Sequence, residues 1–387
     1  MDPKNLILGE ASLFVESEIM QQAVFFEENE EIPRDLINKM GTNGYLGANF
    51  PIQYGGLGLD PVLYGQLTEI IGKGCSSVRS MMTVHASLVG ESLLRFGTEE
   101  QKDSYLPLMA KGEILAAFAL SEPEVGSDAK NIRTSYKRLG DDFIINGAKK
   151  WITLAGIADV FLVIATNEVN TTAFLVPSDH FGITVKPMKG LMAGKASHVA
   201  EIHFNDVVVS KENLLGREGM GFNYIVNTAL DHGRYSIAWG GLGIAQAALE
   251  AMVAYARSRR QFGKEIHSFQ LVQAMIADAL TGISAGRAMC LRAGEFRRNN
   301  HFDAAIETTI AKYYTSKIAN QIAADAVQVH GGNGISNQYP VERLFREAKI
   351  LEIIEGTSQV LQTVIATHGL GKFNRKNTIN SLLIPTD

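Results

Sequence analysis

At 387 residues the chain exceeds the roughly 250–300 residues at which a single hydrophobic core stops growing, so two or three packed units are expected. Its 46% hydrophobic and 20% charged residues are those of an ordinary soluble protein, and a net charge of −5 argues against nucleic acid as the main partner, because phosphate binding needs a basic face. Two cysteines without paired spacing, Cys75 and Cys290, exclude a disulfide framework or a thiolate metal site and fit a reducing compartment.

The N-terminus, Met1-Asp2-Pro3-Lys4, shows neither an apolar signal core nor an Arg-rich leader, and no apolar run approaches 20 residues. No membrane span is expected, and the cytoplasm is the expected location. Residues 1–112 read as helical. Ile32-Pro33 opens a helix at Arg34, where Leu36, Ile37 and Met40 recur at helical spacing before Gly41; Pro61 starts another through Ile71, and Met81–Phe96 continues the period to Gly97. Between them the glycines of Asn49–Leu59 follow no strand, which makes a turn the better reading than a phosphate cradle.

From 113 to 218 the period changes. Ile114–Leu120, Phe143–Asn146, Val160–Ala165, Thr172–Val176, Ile183–Lys186 and Val199–Phe204 read as strands between turn residues. His198 and His203, five apart on an extended segment, face opposite sides and form no metal pair. Helix returns at Gly219–Ile225 and dominates to 370, with Ala245–Arg257, Gln270–Arg298 and Ala304–Val329 carrying apolar faces suited to a bundle. Gly241-Leu242-Gly243 lies inside helical sequence with no preceding strand, so it reads as a close helix approach and not a dinucleotide fingerprint. Residues 371–387 form a polar, aperiodic tail.

Near the C-terminus Ile353-Ile354-Glu355-Gly356-Thr357-Ser358-Gln359 places a carboxylate after two large aliphatic residues and before a glycine and a capping threonine. Apolar neighbours disfavour the charged carboxylate and raise its pKa, the usual route to a glutamate base. Gly356 permits a sharp turn and Thr357 can cap a helix from Ser358 to Thr367 that stops at Gly369. A buried, hydrogen-bonded glutamate at a helix start is the alternative reading of the stretch alone.

Five segments, in this order over residues 30–370, resemble the flavin-dependent acyl-CoA dehydrogenase family: Phe118-Ala119-Leu120-Ser121-Glu122-Pro123-Glu124-Val125-Gly126-Ser127-Asp128, Lys150-Trp151-Ile152-Thr153, Ser258-Arg259-Arg260-Gln261-Phe262-Gly263, Gln328-Val329-His330-Gly331-Gly332-Asn333-Gly334 and the Glu355 stretch. The resemblance implies an α+β fold with an N-terminal helical domain, a middle β-barrel or sandwich domain and a C-terminal four-helix bundle. It further implies FAD, a homo-oligomer (dimer or tetramer), and α,β-oxidation of a thioester-linked acyl group. Glu355 would be the catalytic base, and Ser127, Asp231, Arg234 and Gly356 would join it around the substrate; a salt-bridged helix face is the alternative for Asp231 and Arg234. The flavin would meet Phe118, Leu120, Ser121, Gly126, Ser127, Trp151, Ile152 and Thr153, while Thr357 and Gln359 at the helix start would approach the adenosine part. Arg259, Gln261, Phe262, Gln270, Gln328, Val329, Gly331 and Gly332 would serve its pyrophosphate and adenosine part, Arg259 from a neighbouring subunit. A solvated basic cluster is the other reading of Arg259.

Two departures from the family pattern bear on the substrate: Ile354 stands where a tyrosine usually precedes the base, and Lys195 and Val199 alter the Arg-x-Ser-x-Thr-x-Glu segment. Cys75-Ser76-Ser77-Val78-Arg79-Ser80, followed by Thr83-Val84-His85, is similar to a branch of polyketide extender-unit biosynthesis whose members oxidise a short polar acyl group on an acyl carrier protein. Coenzyme A and a carrier protein are both open as the thioester carrier, and an electron-transferring flavoprotein or oxygen as the acceptor. A non-catalytic, nucleic-acid-binding flavoprotein of the same fold is disfavoured by the acidic charge and the retained Glu355.

Overall fold

In the computed structural model, which describes residues 3–373, helices flank a central sheet. The first layer comprises α1 (Pro3–Phe14), α2 (Ala23–Asn29), α3 (Arg34–Thr42), α4 (Pro61–Gly74), α5 (Ser76–Met82), α6 (Glu91–Phe96) and α7 (Glu99–Lys111). Between α5 and α6 the chain widens into a π-helical stretch, Thr83–Gly90. Local chemistry sets several of these limits. The Asp60 carboxylate accepts from the Val62 and Leu63 N–H groups ahead of α4, and Thr98 with Gln101 forms a reciprocal capping box on α7.

The middle of the chain forms one eight-stranded mixed sheet from β1 (Ala116–Ala119), β2 (Ser135–Leu139), β3 (Asp142–Ile152), β4 (Val160–Thr166), β5 (Thr171–Pro177), β6 (Ile183–Pro187), β7 (Ala200–Val209) and β8 (Leu214–Leu215). Their order is β6-β7-β3-β2-β4-β5-β8, with β1 alongside β4 in parallel. Tyr136, Phe143 and Phe174 meet edge to face in its core, their ring centroids 5.1–5.8 Å apart. Beyond the sheet come α8 (Asn227–Ser258), the short hairpin β9 (Arg260–Gln261) and β10 (Lys264–Glu265), α9 (Gln270–Arg298), α10 (Ala304–His330), α11 (Val341–Leu351) and α12 (Ser358–Phe373).

Several sequence-based boundaries shift. Strand β2 was not expected: Tyr136 alone is buried along Ser-Tyr-Lys-Arg-Leu, so the alternation is masked by charge. Strand β3 runs to Ile152 and not to Asn146, because Lys149, which reads as solvent-facing, is buried in an ion pair. The helix from Arg34 passes Gly41 to Thr42, and it is Gly44 that turns left-handed. Likewise α12 continues through Gly369 to Phe373, since a glycine stops a helix only where it adopts positive φ and Gly369 does not. Most of the expected tail, residues 374–387, lies outside the described residues. By length and composition, the helical run Gly221–Ser258 and α9 are apolar enough to cross a membrane, contrary to the reading from apolar runs alone; 67% of the apolar window in the first is packed inside the fold.

Helix α8 is the spine on which the cavity is built. Its glycines let α4 come close, as Gly241-Leu242-Gly243 suggested: a Cβ on Gly243 would sit 2.5 Å from the Glu69 carbonyl oxygen and 2.7 Å from the Lys73 nitrogen. Both obstacles are backbone and cannot swing aside. Gly243→Val is therefore expected to destabilise the protein by roughly 1–3 kcal/mol or more, read as a lower thermal unfolding midpoint; an unchanged midpoint would contradict this packing.

Candidate active site

A cavity of ≈ 630 Å³ opens where the first helical layer, the sheet and α8 converge. The expected residues Phe118, Leu120, Ser121, Gly126, Ser127, Trp151, Ile152, Thr153, Arg234, Glu355, Gly356 and Thr357 all line it. Sequence reasoning had not assigned a site role to Leu88, Ile237 and Val364, which add apolar wall, or to Arg79, Ser80 and Thr83, which add a polar patch.

Glu355 stands at positive φ (54°), a conformation a non-glycine residue adopts only when its surroundings enforce it, and Gly356 follows at φ 95°. The enforcement is visible. Arg234 Nε donates to the Glu355 carbonyl at 3.0 Å, and Lys312 Nζ donates to the Gly356 carbonyl at 2.7 Å. Lys312 sits on the buried stripe of α10 with Thr308, Ala311 and Thr315, so a lysine in phase with small buried residues was the signal for it. Thr357 then caps α12, its Oγ1 accepting from the Val360 N–H.

This clamp grips main chain and leaves the side chain free. Glu355 Oε2 is buried without a hydrogen-bond partner and lies against Gly233 of α8, where any Cβ would come within 2.7 Å of it. Burial pushes the carboxyl up to about 7, against the pull of Arg234, Lys312 and Arg79. A carboxylate poised near neutrality in a cavity is a proton acceptor in waiting.

On the sheet side, β1 delivers Phe118 and the turn after it delivers Leu120 and Ser121, while the end of β3 delivers Trp151 and Ile152, followed by Thr153. Lys149, wholly buried, holds the two together. Its Nζ donates to the Leu120 carbonyl at 2.9 Å and to Glu122 Oε1 at 2.8 Å, and the Lys150 N–H donates to the Ser121 carbonyl. Glu122 also accepts from the Arg133 and Thr134 N–H groups. Burial draws the Lys149 ammonium down to about 8 despite Glu122; burial alone would raise the Glu122 carboxyl, but Lys149 and the two N–H donors hold it below the usual range. Trp151 (φ 65°) remains 56% exposed, its ring part of the cavity wall.

Other expected residues lie elsewhere. Asp231 is not in the cavity lining; it pairs with Arg297 Nη2 at 2.7 Å, the salt-bridged alternative weighed from sequence. Arg259, Gln261, Phe262, Gln270, Gln328, Gly331, Gly332 and Gln359 are exposed and Val329 is half-buried, none of them on the cavity. Phe262, 93% exposed at positive φ, is presented on the β9–β10 hairpin. His85, part of the Thr83-Val84-His85 signature, is a buried brace: Nε2 donates to the Met109 carbonyl and Nδ1 accepts from the Ala116 N–H. Among the described residues no group of three His, Cys, Asp or Glu side chains is placed to hold a metal ion.

With this geometry in view, the relatives are informative. The chain matches the profiles described as acyl-CoA dehydrogenase N-terminal domain over residues 2–113, middle domain over 117–207 and C-terminal domain over 219–370. A probable acyl-CoA dehydrogenase of Bacillus subtilis, YngJ, is 40% identical over 359 residues, 91% of this chain and 94% of its own. Among solved structures, butyryl-CoA dehydrogenase from Megasphaera elsdenii superposes with a TM-score of 0.92 at 33% identity, covering 96% of this chain and 98% of that one. The prolyl acyl carrier protein oxidase AnaB superposes at 0.91 with 29% identity, covering 95% and 99%.

The buried pair makes a first prediction for the site. Glu122→Gln strands the Lys149 ammonium in the interior, a loss of about 3–5 kcal/mol, and slackens both strands that face the cavity. The variant should unfold at lower temperature and retain less flavin after purification; wild-type flavin content would show that the brace does not shape the site.

Proposed function

The chain belongs to the acyl-CoA dehydrogenase family of FAD-dependent oxidoreductases, and from that premise we propose that it oxidises the Cα–Cβ bond of a short acyl thioester with Glu355 as the base. The observation that carries this reading is the unpartnered Glu355 Oε2, buried in a cavity that the Trp151–Thr153 strand end also lines.

The residues fit FAD. The cavity joins a flat exposed ring at Trp151, hydroxyls of Ser121, Ser127 and Thr153, and a Gly126 beside which a Cβ would find open space. These groups would hold the isoalloxazine and its nearer phosphate oxygens. FAD held there would supply the acceptor for the Cβ hydrogen and its electron pair. Glu355 Oε2 takes the Cα proton, so that two C–H bonds break and a C=C bond forms in conjugation with the thioester. Among the described residues the Glu355 N–H makes no main-chain hydrogen bond, which leaves it to donate to the thioester carbonyl as negative charge grows there. Arg234 and Lys312 keep that N–H and the carboxylate in one fixed loop. The buried Leu88 and Ile237 exclude water on their side of the cavity, which keeps the carboxylate basic.

The exposed set, Arg259, Phe262, Gln270, Gln328, Gly331 and Gly332, is assigned to the FAD of a second copy in a homo-oligomer, since these residues stand away from this chain's own cavity. Coenzyme A is the first choice of carrier. A carrier-protein thioester is the second, supported by the likeness to the prolyl acyl carrier protein oxidase AnaB. Electrons then leave to an electron-transferring flavoprotein or to oxygen.

Below about pH 7 the base is protonated, so kcat/KM should fall about tenfold per unit of acidification below that point. Glu355→Gln should keep its yellow flavin and lose most turnover; near-wild-type rates would remove the base assignment. Stability carries the opposite sign. The folded-state pKa is raised, so the wild type loses stability as pH rises from the ordinary carboxyl range through about 7. The variant, free of that loss, should unfold at a higher temperature than wild type at pH 8, and the gap should close toward pH 5. Arg259→Ala should purify with little FAD, and full occupancy would refute the cross-subunit role.

A further inference from the structure

Arg79 is the most deeply buried cation on the cavity. It lies on α5, is 1% exposed and lines the same space as Glu355. Its hydrogen-bond partners are neutral hydroxyls only: Nη1 donates to Thr83 Oγ1 at 3.0 Å, and Nη2 donates to Ser80 Oγ at 2.9 Å and to Ser76 Oγ at 3.4 Å. Nε is buried with no partner. Glu347 and Glu355 act on the guanidinium only through space, without an ion pair. A buried cation left in this state is costly, and proteins keep such groups where an anion arrives.

The contrast with Arg343 is direct. That guanidinium is also buried and its Nε likewise lacks a partner, but it is paired with Glu347 at 3.3 Å and takes no part in the cavity. The fold also makes room for Arg79. Its stem passes over Gly240 of α8 and Gly72 of α4; a Cβ on Gly240 would lie 2.8 Å from its Cδ and Nε, and one on Gly72 would lie 3.3 Å from its Cγ. Along α8, Gly233 abuts the Glu355 carboxylate, Ser236 bonds to Thr83 Oγ1 at 2.6 Å, and Gly240 abuts Arg79. The seven residues from Gly233 to Gly240 span about 10 Å at the helical rise per residue. The guanidinium therefore stands one to two helical turns along α8 from the base, on the wall of the same cavity.

We propose that Arg79, with Ser80 and Thr83 beside it, receives a carboxylate at the far end of a short acyl chain, so that the substrate is an ω-carboxyacyl thioester. This rests on the dehydrogenase reading of the cavity. The substrate would then bridge two groups that face the cavity unpaired, its Cα proton at Glu355 and its carboxylate at Arg79. A neutral chain of the same length would leave the guanidinium desolvated and unpaired, the arrangement that gives the largest discrimination between substrates.

The test is anaerobic reduction of the FAD-loaded enzyme by succinyl- and glutaryl-CoA, by butyryl- and valeryl-CoA, and by the monomethyl ester of glutaryl-CoA, each also loaded on a holo acyl carrier protein. The wild type should reduce with the carboxylate-bearing thioesters on the order of a hundredfold faster, as kcat/KM, than with their uncharged counterparts. Arg79→Gln should bring that ratio toward one, and Arg79→Lys should restore part of it. Equal or faster reduction by butyryl-CoA and the methyl ester in the wild type overturns the assignment and leaves the dehydrogenase reading standing. Failure of every thioester to reduce the flavin overturns both. The wild-type ratio decides the matter even if the Arg79 variants do not fold.

Discussion

Two cations hold the main chain around Glu355 and leave its side chain alone. Arg234 and Lys312 spend their hydrogen bonds on the carbonyls of Glu355 and Gly356, which fixes a left-handed turn that the sequence would otherwise avoid. Their charges pull the carboxyl pKa down, burial pushes it up, and burial wins. Had either cation bonded the carboxylate itself, the group would be a stable anion in a salt bridge and a poor proton acceptor. The separation of positional grip from charge pairing is what turns a buried glutamate into a candidate base.

The sheet side of the cavity follows the same logic with the charges closed on each other. Lys149 and Glu122 are paired, hydrogen-bonded and sealed from solvent, and what they hold in place is backbone: Leu120 and Ser121 on one side, the approach to Trp151 on the other. Paired ions build the frame, and unpaired ones line the cavity. Glu355 and Arg79 are the two ionisable groups lining the cavity that each carry a buried, unpartnered atom.

Much of this was legible in the residues. Helical and strand periods placed the helix–strand–helix order, and the Glu355 stretch announced itself by apolar neighbours, a glycine and a cap. The twelve expected residues now on the cavity come from segments far apart in sequence, and family resemblance, not periodicity, joined them. What escaped notice has physical causes. Lys149 and Lys312 occupy buried positions, and a lysine in an alternating or helical pattern reads as solvent-facing unless the phase of its small neighbours is weighed. Arg79 sat within a recognised signature, but only the absence of a partner carboxylate, a three-dimensional fact, marks it as more than a surface charge. The exposed residues Arg259, Phe262, Gln270, Gln328, Gly331 and Gly332 stand off this chain's own cavity, and the role proposed for them needs a second copy that periodicity in one sequence does not reveal.

The central claim is that the Glu355 carboxylate, and no other group, removes the α-proton. Its most direct test follows loss of deuterium from the α-carbon of a short acyl thioester to solvent, in wild type and in Glu355→Gln, each loaded with FAD. The account predicts wash-out in the wild type, with a primary isotope effect on flavin reduction, and none above background in the variant. Wash-out at the wild-type rate in Glu355→Gln would contradict it.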